Sequence, residues 1–202
     1  MTAGWPARLQ EGPIVLQPLR LRDASAWREV RTRNARWLRP WEATVPLSDR
    51  DVPHTYGAMV RRLRSEAREG RALPFALTYE GAFVGQVTVG GISRGSLMGG
   101  YIGYWIDERM AGRGIMPTAV AMATDHCFNA VGLHRIEINI RPENAPSLRV
   151  VEKLGFRYEG IRQRYLHIDG DWRDHSTYAL LSEEVPEGLL ARWRATRVAA
   201  GG

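Results

Sequence analysis

At 202 residues, with 44% hydrophobic and 25% charged residues, the chain is long enough for one well-packed domain and short for two. Its 28 lysines and arginines against 22 acidic residues give a formal charge of +6. That charge permits RNA, ribosomal or acidic-ligand partners but selects none, because the arginines are spread along the chain. One cysteine excludes an intramolecular disulfide and a cysteine-based zinc site. The lack of a signal segment or a membrane-length apolar run predicts a cytoplasmic protein.

The N-terminal region predicts one strand followed by one helix. Residues 1–12 contain glycine and proline and few apolar side chains, which predicts a loose segment. Ile14 to Leu21 predicts a strand, in which Pro18 indicates an edge position or a bulge. We expect Asp23 to cap a helix from Ala24 to Arg33.

Two tryptophans lie close together in the stretch WLRPWE, from Trp37 to Glu42. Buried tryptophan is common, so the residues alone favour core packing, and one wall of a cleft is the alternative.

A second helix is predicted after this stretch. We expect Ser48 or Asp49 to cap it and Gly70 to end it, with a charged, solvated face in its middle. His54 near its start has no partner visible in the sequence and is expected at the surface.

The middle of the chain predicts an antiparallel meander. Pro74 to Glu80 and Phe83 to Ile92 flank Glu80-Gly81, which is typical of a hairpin. The strand from Gly99 to Ile106 then follows. Three strands joined by short turns therefore lead into the loop that comes next.

That loop carries the sequence R-x-x-G-x-G in Arg109, Gly112 and Gly114. A helix from Ile115 follows, so its free N–H groups and positive dipole end meet the glycine backbone. Together they predict a site for a phosphate or pyrophosphate, with charge added by Arg109 and Arg113. An ordinary strand–helix turn is an equal alternative from the loop alone. We expect the apolar residues of the helix to form one broad face.

The strand after this helix is predicted to run parallel to the strand before it. Gly132 ends the helix, and His134 to Ile140 alternates isoleucine with polar residues. A right-handed crossover places it beside Gly99–Ile106. A short helix from Pro146 to Leu154 then follows a loop that contains Asn144.

The C-terminal region predicts a further hairpin and a last helix. Arg162–Ile168 and Trp172–Leu181 enclose Asp169-Gly170, a strong turn signal. Glu187 to Thr196 is expected to be helical. No repeat, low-complexity block or linker is visible, so residues 1–202 are predicted to form a single domain.

Three stretches resemble the GNAT superfamily of N-acetyltransferases. IGYWIDERMAGRGIMPTAV resembles its acetyl-CoA-binding motif, whose loop reads Q/R-x-x-G-x-G/A. IRPENAPSLRVVEKLGFRYEG, from Ile140 to Gly160, resembles the next motif, and LRPWE is similar to the L-x-P-W-E stretch of the RimJ/RimL branch. The resemblance implies an α/β (α+β) GNAT fold, in which a mixed, mostly antiparallel central sheet opens in a V-shaped parallel splay and is flanked by helices.

The resemblance also implies roles for particular residues. The strand end would bind acetyl-CoA mainly through main-chain groups, and the loop would hold its pyrophosphate. The implied cofactor-binding residues are Trp105, Ile106, Asp107, Arg109, Met110, Ala111, Gly112, Arg113, Gly114, Ile115, Met116, Asn144 and Ser147. The implied acceptor-binding residues are Trp37, Trp41, Glu42 and Tyr104.

Ser147 is implied to protonate the leaving thiolate and Asn144 to hold the cofactor arm, whereas from the residues alone both could serve only the local turn and helix. The sequence departs from the family at the general base, since Leu166 stands where related enzymes are thought to carry glutamate. Glu42 and Glu159 are the remaining catalytic candidates, and Glu159 could instead brace its loop through an arginine.

The expected function is acetyl-CoA-dependent transfer of an acetyl group to a primary amine, the N-terminal α-amine of a protein, with a ribosomal protein as the candidate acceptor. The alternatives are the same chemistry on a small amine such as an antibiotic or polyamine, and a non-catalytic RNA- or ribosome-binding module. We expect no membrane partner, no metal, no requirement for nucleic acid, and a monomer or homodimer.

Overall fold

The computed structural model describes residues 3–46 and 55–201, with the main chain alone described at residues 200 and 201. Eight strands form one sheet in the order β1-β2-β3-β4-β5-β6-β8-β7, and every pair is antiparallel except β5 with β6. The strands are β1 Leu9–Glu11, β2 Ile14–Pro18, β3 Leu73–Tyr79, β4 Ala82–Ser93, β5 Gly99–Ile106, β6 Arg135–Ile140, β7 Arg157–Ile168 and β8 Asp171–Leu181.

The parallel pair opens into a V. β5 pairs with β6 only at its first three residues, from Gly99↔Arg135 to Tyr101↔Glu137. Beyond Tyr101, β5 stays with β4 as far as Ile106, while β6 stays with β8 as far as Ile140. The sheet therefore splits between its two halves, which confirms the predicted splay.

The described residues contain six α-helices. They are α1 Ala24–Arg33, α2 Ala35–Leu38, α3 Tyr56–Arg68, α4 Ile115–His126, α5 Ala145–Leu154 and α6 Leu189–Gly201. A single π turn, Cys127–Val131, extends α4 to Gly132. The predictions of α1 and of the start of α4 agree with these bounds to the residue.

Helix α4 is buried on every side rather than along one face. Residues 115–124 are all buried, since α4 contacts strands of the sheet as well as α5 and α6. The expectation of one apolar face is wrong, because small side chains such as Ala119 and Ala123 let neighbours approach from all directions. This burial fixes the start of α4 beside the mouth of the V.

The N-terminal segment is not loose throughout. Leu9–Glu11 pairs with β2, and the Trp5 ring packs edge-on against Phe75 with centroids 5.1 Å apart. The prediction of a loose segment over residues 1–12 is therefore wrong for residues 5–11. The pairing of β1 with β2 ends at Leu16. Pro18, at the end of β2, therefore has no β1 residue paired with it on that side.

One predicted cap differs from the structure, and another falls outside the described residues. The Asp23 side chain does not cap α1, because its carboxylate accepts a hydrogen bond from the Arg20 amide at 2.8 Å. Helix α3 begins at Tyr56, where the Thr55 hydroxyl accepts from the Ala58 amide at 3.2 Å. Ser48, Asp49 and His54 lie outside the described residues. Across the part of the chain that is described, no helix is both long and apolar enough to cross a bilayer.

Candidate active site

A cavity of about 540 Å³ occupies the V between β5 and β6. One end is formed by the loop before α4 and the first residues of α4, and the other by the tryptophan stretch. Between them lie the end of β5 on one side and the start of α5 on the other. Of the predicted site residues, it brings together Trp37, Trp41, Glu42, Tyr104, Trp105, Ile106, Met110, Ala111, Gly112, Gly114, Ile115, Met116, Asn144 and Ser147.

The backbone of β5 presents alternate residues to the V. The Asp107 amide donates to the Val84 carbonyl at 2.8 Å. The N–H and C=O groups of the odd-numbered residues near it therefore point toward β4. The Met98 carbonyl accepts from the Arg135 amide at 3.2 Å, so the N–H and C=O groups of the even-numbered residues point toward β6. The main-chain groups of Tyr104 and Ile106 therefore face the V, whereas those of Trp105 and Asp107 do not. The expected main-chain contacts of Trp105 and Asp107 with the cofactor therefore have no support from the direction of these groups.

The glycine loop places backbone amides at the end of the cavity. Gly112 and Gly114 have φ of +76° and +77°, in the left-handed region that side chains disfavour. A Cβ at Gly112 would meet no atom within 4 Å, so the space beside its backbone is open. Gly114 is the N-cap of α4, and the amides of Ile115 and Met116 follow it. This arrangement suits a diphosphate.

The two loop arginines point elsewhere. The Arg113 guanidinium lies 4.9 Å from the centre of the Tyr79 ring and donates to the Met110 sulfur at 3.0 Å. Arg109 is exposed, and neither side chain lines the cavity. Charge from these side chains is therefore not part of the cavity, and the anion site depends on backbone groups.

Asp107 is a buried anchor beneath the loop. Its side chain accepts hydrogen bonds from Arg33 at 2.7 and 3.0 Å and from Asn34 at 3.0 Å, and it accepts one from the Arg109 amide at 3.3 Å. Burial alone would raise the pKa of this carboxyl, but the Arg33 and Asn34 bonds outweigh burial and hold the pKa below its ordinary value. Its side chain thus ties the loop to α1 rather than binding a cofactor.

Asn144, Ser147 and Tyr104 meet where the V opens. The Asn144 Oδ1 caps α5 by accepting from the Ser147 amide at 3.2 Å, which is the structural alternative that the sequence left open. Its Nδ2 donors have no hydrogen-bond partner within the described ranges. The Tyr104 hydroxyl donates to the Ser147 carbonyl at 3.4 Å, and burial raises the pKa of this phenol. Tyr104 is therefore protonated at neutral pH.

The acceptor end is held by long-range contacts. The Arg141 guanidinium donates to the Pro40 carbonyl at 2.7 Å and lies 5.5 Å from the Trp41 ring centre. The Thr44 amide donates to the His167 carbonyl at 2.8 Å. The tryptophan stretch is therefore fixed by the end of β6 and by the tip of the β7–β8 hairpin, and it forms a cleft wall.

Glu42 is paired with an arginine that sequence reasoning missed. Arg31 forms an ion pair with Glu42 and lies 5.3 Å from the ring centres of both Trp27 and Trp105. Trp27 and Arg31 also line the cavity. Their i, i+4 spacing on α1 was the available signal, since it places both on one helix face.

Glu159 lies outside the cavity. It pairs with Arg135, and its Oε1 accepts from Arg157 at 3.0 Å. The Arg135 hydrogen bond is the main reason that the pKa of this carboxyl lies below its ordinary value. This placement does not support Glu159 as the catalytic base, and its ion pairs with Arg135 and Arg157 fit the alternative bracing role.

The sequence matches a family model described as an acetyltransferase (GNAT) domain over residues 14–157. The ribosomal protein uS5-alanine N-acetyltransferase of Escherichia coli strain K12 is 31% identical over 185 residues, which are 90% of this chain and 94% of that protein. The probable N-acetyltransferase YjcK of Bacillus subtilis strain 168 is 42% identical over 101 residues, only 50% of this chain and 56% of that protein.

A solved structure gives the same result along the full chain. Mycobacterium smegmatis RimJ in complex with CoA-disulfide is 44% identical and superposes with a TM-score of 0.89, covering 100% of this chain and 98% of that one. The ribosomal-protein-S5-alanine acetyltransferase of Vibrio fischeri is 27% identical with a TM-score of 0.77. The sheet split at β5 and β6, the glycine loop and these matches agree, and the chain belongs to the GNAT family of acetyltransferases, in its RimJ/RimL-like branch.

Proposed function

We propose that this protein transfers the acetyl group of acetyl-CoA to the N-terminal α-amine of a ribosomal protein, in the cytoplasm. The observation that carries the proposal is that one cavity joins the glycine loop, the open edge of β5 and the wall of Trp41 and Glu42. The similarity along 90% of the chain to a uS5-alanine acetyltransferase supports the acceptor class.

The donor half of the site works through backbone groups. Bound acetyl-CoA supplies an activated thioester. The amides around Gly112 and Gly114 hold its diphosphate, and the edge of β5 pairs with its amide-bearing arm as an added strand would. The Ile106 amide faces the V and donates to the thioester carbonyl, which stabilises negative charge as the amine attacks.

The leaving thiolate needs one proton when the carbon–sulfur bond breaks. Ser147 and Tyr104 both line the cavity at the start of α5, and we assign the donation to the Ser147 hydroxyl. Tyr104 is the alternative donor, because its phenol is adjacent and stays protonated. The Asn144 Nδ2 group holds the cofactor arm nearby.

The acceptor half binds a cation and frees it of a proton. Glu42 attracts the terminal ammonium, and Trp37 and Trp41 bound the cleft beside it. An α-amine titrates near 7.7–8.0, so a modest base is enough, whereas a lysine ε-amine near 10.4 would need more help. Glu42 is the proposed base, directly or through water, since Glu159 is outside the cavity.

The test is transfer of acetyl from acetyl-CoA to synthetic peptides, followed by thiol release and mass spectrometry. Expected is acetylation of a peptide that begins with alanine, and none of the same peptide with a blocked N-terminus and an internal lysine. Spermidine is the small-amine arm. Turnover of spermidine without any peptide product would overturn the acceptor class, and no CoA binding at all would overturn the whole proposal.

A further inference from the structure

A second groove, of about 710 Å³, lies apart from the active-site cavity. It runs between the N-terminal segment, the end of β2 and helix α3. Four arginines line it, two from the turn after β2 and two from α3, and the floor between them is apolar. We call it the basic groove and define it by Arg20, Arg22, Arg64, Arg68, Trp5 and Pro6.

The arginines of the basic groove lack carboxylate partners within residues 3–46 and 55–199, where side chains are described. The acidic residues near them are engaged elsewhere. Asp23 accepts from the Arg20 amide, Glu66 pairs with Arg62 at 2.8 Å, and Glu69 pairs with Arg71. Four like charges gathered around one groove repel one another, so an anionic partner would be stabilised there.

Helix α3 separates the two grooves. Arg62 and Glu66 line the active-site cavity, whereas Arg64 and Arg68 line the basic groove. Arg64 follows Arg62 by two residues, and Arg68 follows Glu66 by two residues. Two residues are about 200° of helical rotation, so the two pairs lie on opposite faces of α3. A macromolecule bound in the basic groove is therefore held against a helix that also lines the active-site cavity.

We propose that the basic groove binds RNA. Guanidinium forks match phosphate oxygens, and the exposed Pro6 beside the partly buried Trp5 ring offers an apolar surface on which a base can stack. An acidic peptide would use the charges but not this floor. The inference rests on the proposed function, because a ribosomal acceptor lies beside RNA. The spread of these arginines along the sequence concealed the cluster.

The experiment measures binding of the full chain to a fluorescent oligouridine of about 20 nucleotides, longer than a single-strand site needs to be. The variant Arg64→Glu/Arg68→Glu changes exposed positions on α3. The control Arg36→Glu/Arg164→Glu changes the net charge equally, at exposed residues outside the groove. A poly-glutamate peptide is the acidic-protein arm.

Expected is that the groove variant binds the RNA at least ~10-fold more weakly at about 0.1 M salt and lowers the slope of log K against log salt by roughly 1 to 2, since each single-strand phosphate contact contributes about 0.7. The control variant is expected to lose far less affinity for the RNA. Equal losses in both variants, no RNA binding by the unmodified chain, or equal capture of poly-glutamate through the same arginines would each overturn the proposal.

Acetylation of a free peptide separates this inference from the proposed function. The groove variant is expected to acetylate the peptide as the unmodified chain does. RNA binding without any acetyl transfer would refute the enzyme and leave the RNA surface standing, whereas transfer without RNA binding would refute the surface alone.

Discussion

The anion site at the glycine loop is open to a direct test by adding one methyl group. Gly112→Ala places a Cβ in space where no protein atom lies within 4 Å, at a φ of +76°. Gly95→Ala does the same at a φ of +74°, in the β4–β5 loop outside the cavity. The two variants therefore match in backbone strain and differ only in what approaches the backbone.

The expected magnitudes follow from that match. An alanine held in the left-handed region destabilises the folded chain by about 1–2 kcal/mol. Part of this is offset, because alanine also reduces the conformational entropy of the unfolded chain. A net loss of about 1 kcal/mol in the free energy of unfolding lowers the melting temperature by about 2–4 °C for a chain of this size. Gly112→Ala should also weaken CoA binding, because one or two hydrogen bonds to a charged diphosphate are worth about 1.5–3 kcal/mol, or roughly 10- to 100-fold.

Calorimetric titration with CoA and thermal unfolding are the paired assays. Both variants are expected to melt a few degrees lower, and only Gly112→Ala to bind CoA more weakly. If Gly112→Ala bound CoA as tightly as the unmodified chain while its melting temperature fell, no anion would approach that backbone, and the reasoning would be refuted.

Three further predictions concern side chains. Asp107→Asn should lower the free energy of unfolding by about 2–4 kcal/mol at neutral pH, because it weakens a buried charged network. Since the pKa of the Asp107 carboxyl in the folded chain lies below its ordinary value, this difference in denaturant unfolding should shrink as the pH falls below about 4. A difference that stayed constant as the pH fell would refute the role of the ionised carboxylate. Ser147→Ala should lower kcat about 100-fold and leave CoA binding unchanged. If Tyr104→Phe lowered kcat and Ser147→Ala did not, the Tyr104 phenol would be the proton donor instead. Glu42→Gln should lower kcat at least ~100-fold, because it removes the proposed base, whereas Glu159→Gln should leave kcat unchanged.

The parts of the site that the sequence predicted are local in the chain. Gly99–Ile106 and the start of α4 at Ile115 agree with the structure to the residue, because glycines, a proline in the first helical turn and a dense β-branched run specify them within about 20 positions. The proposed phosphate site lies in the same short stretch, since it consists of consecutive amides.

The parts that the sequence did not predict depend on contacts between distant segments. Asp107 looked like a cofactor residue until Arg33, 74 residues away, was found on its carboxylate. Arg31 reaches Glu42 and Trp105 only because α1 packs across the end of β5. Periodicity records that a helix has a buried face, but it does not record which partner that face meets.

This difference implies that the two halves of the site can change independently. The proposed diphosphate-binding part of the donor half is main chain in one continuous stretch, so most side-chain substitutions there leave it intact. The acceptor half depends on Trp41 and Glu42, which are held in place by Arg141, Arg31 and the β7–β8 hairpin. Substitutions in those supports would move the wall without touching the thioester site. The acceptor should therefore be altered more readily than the donor.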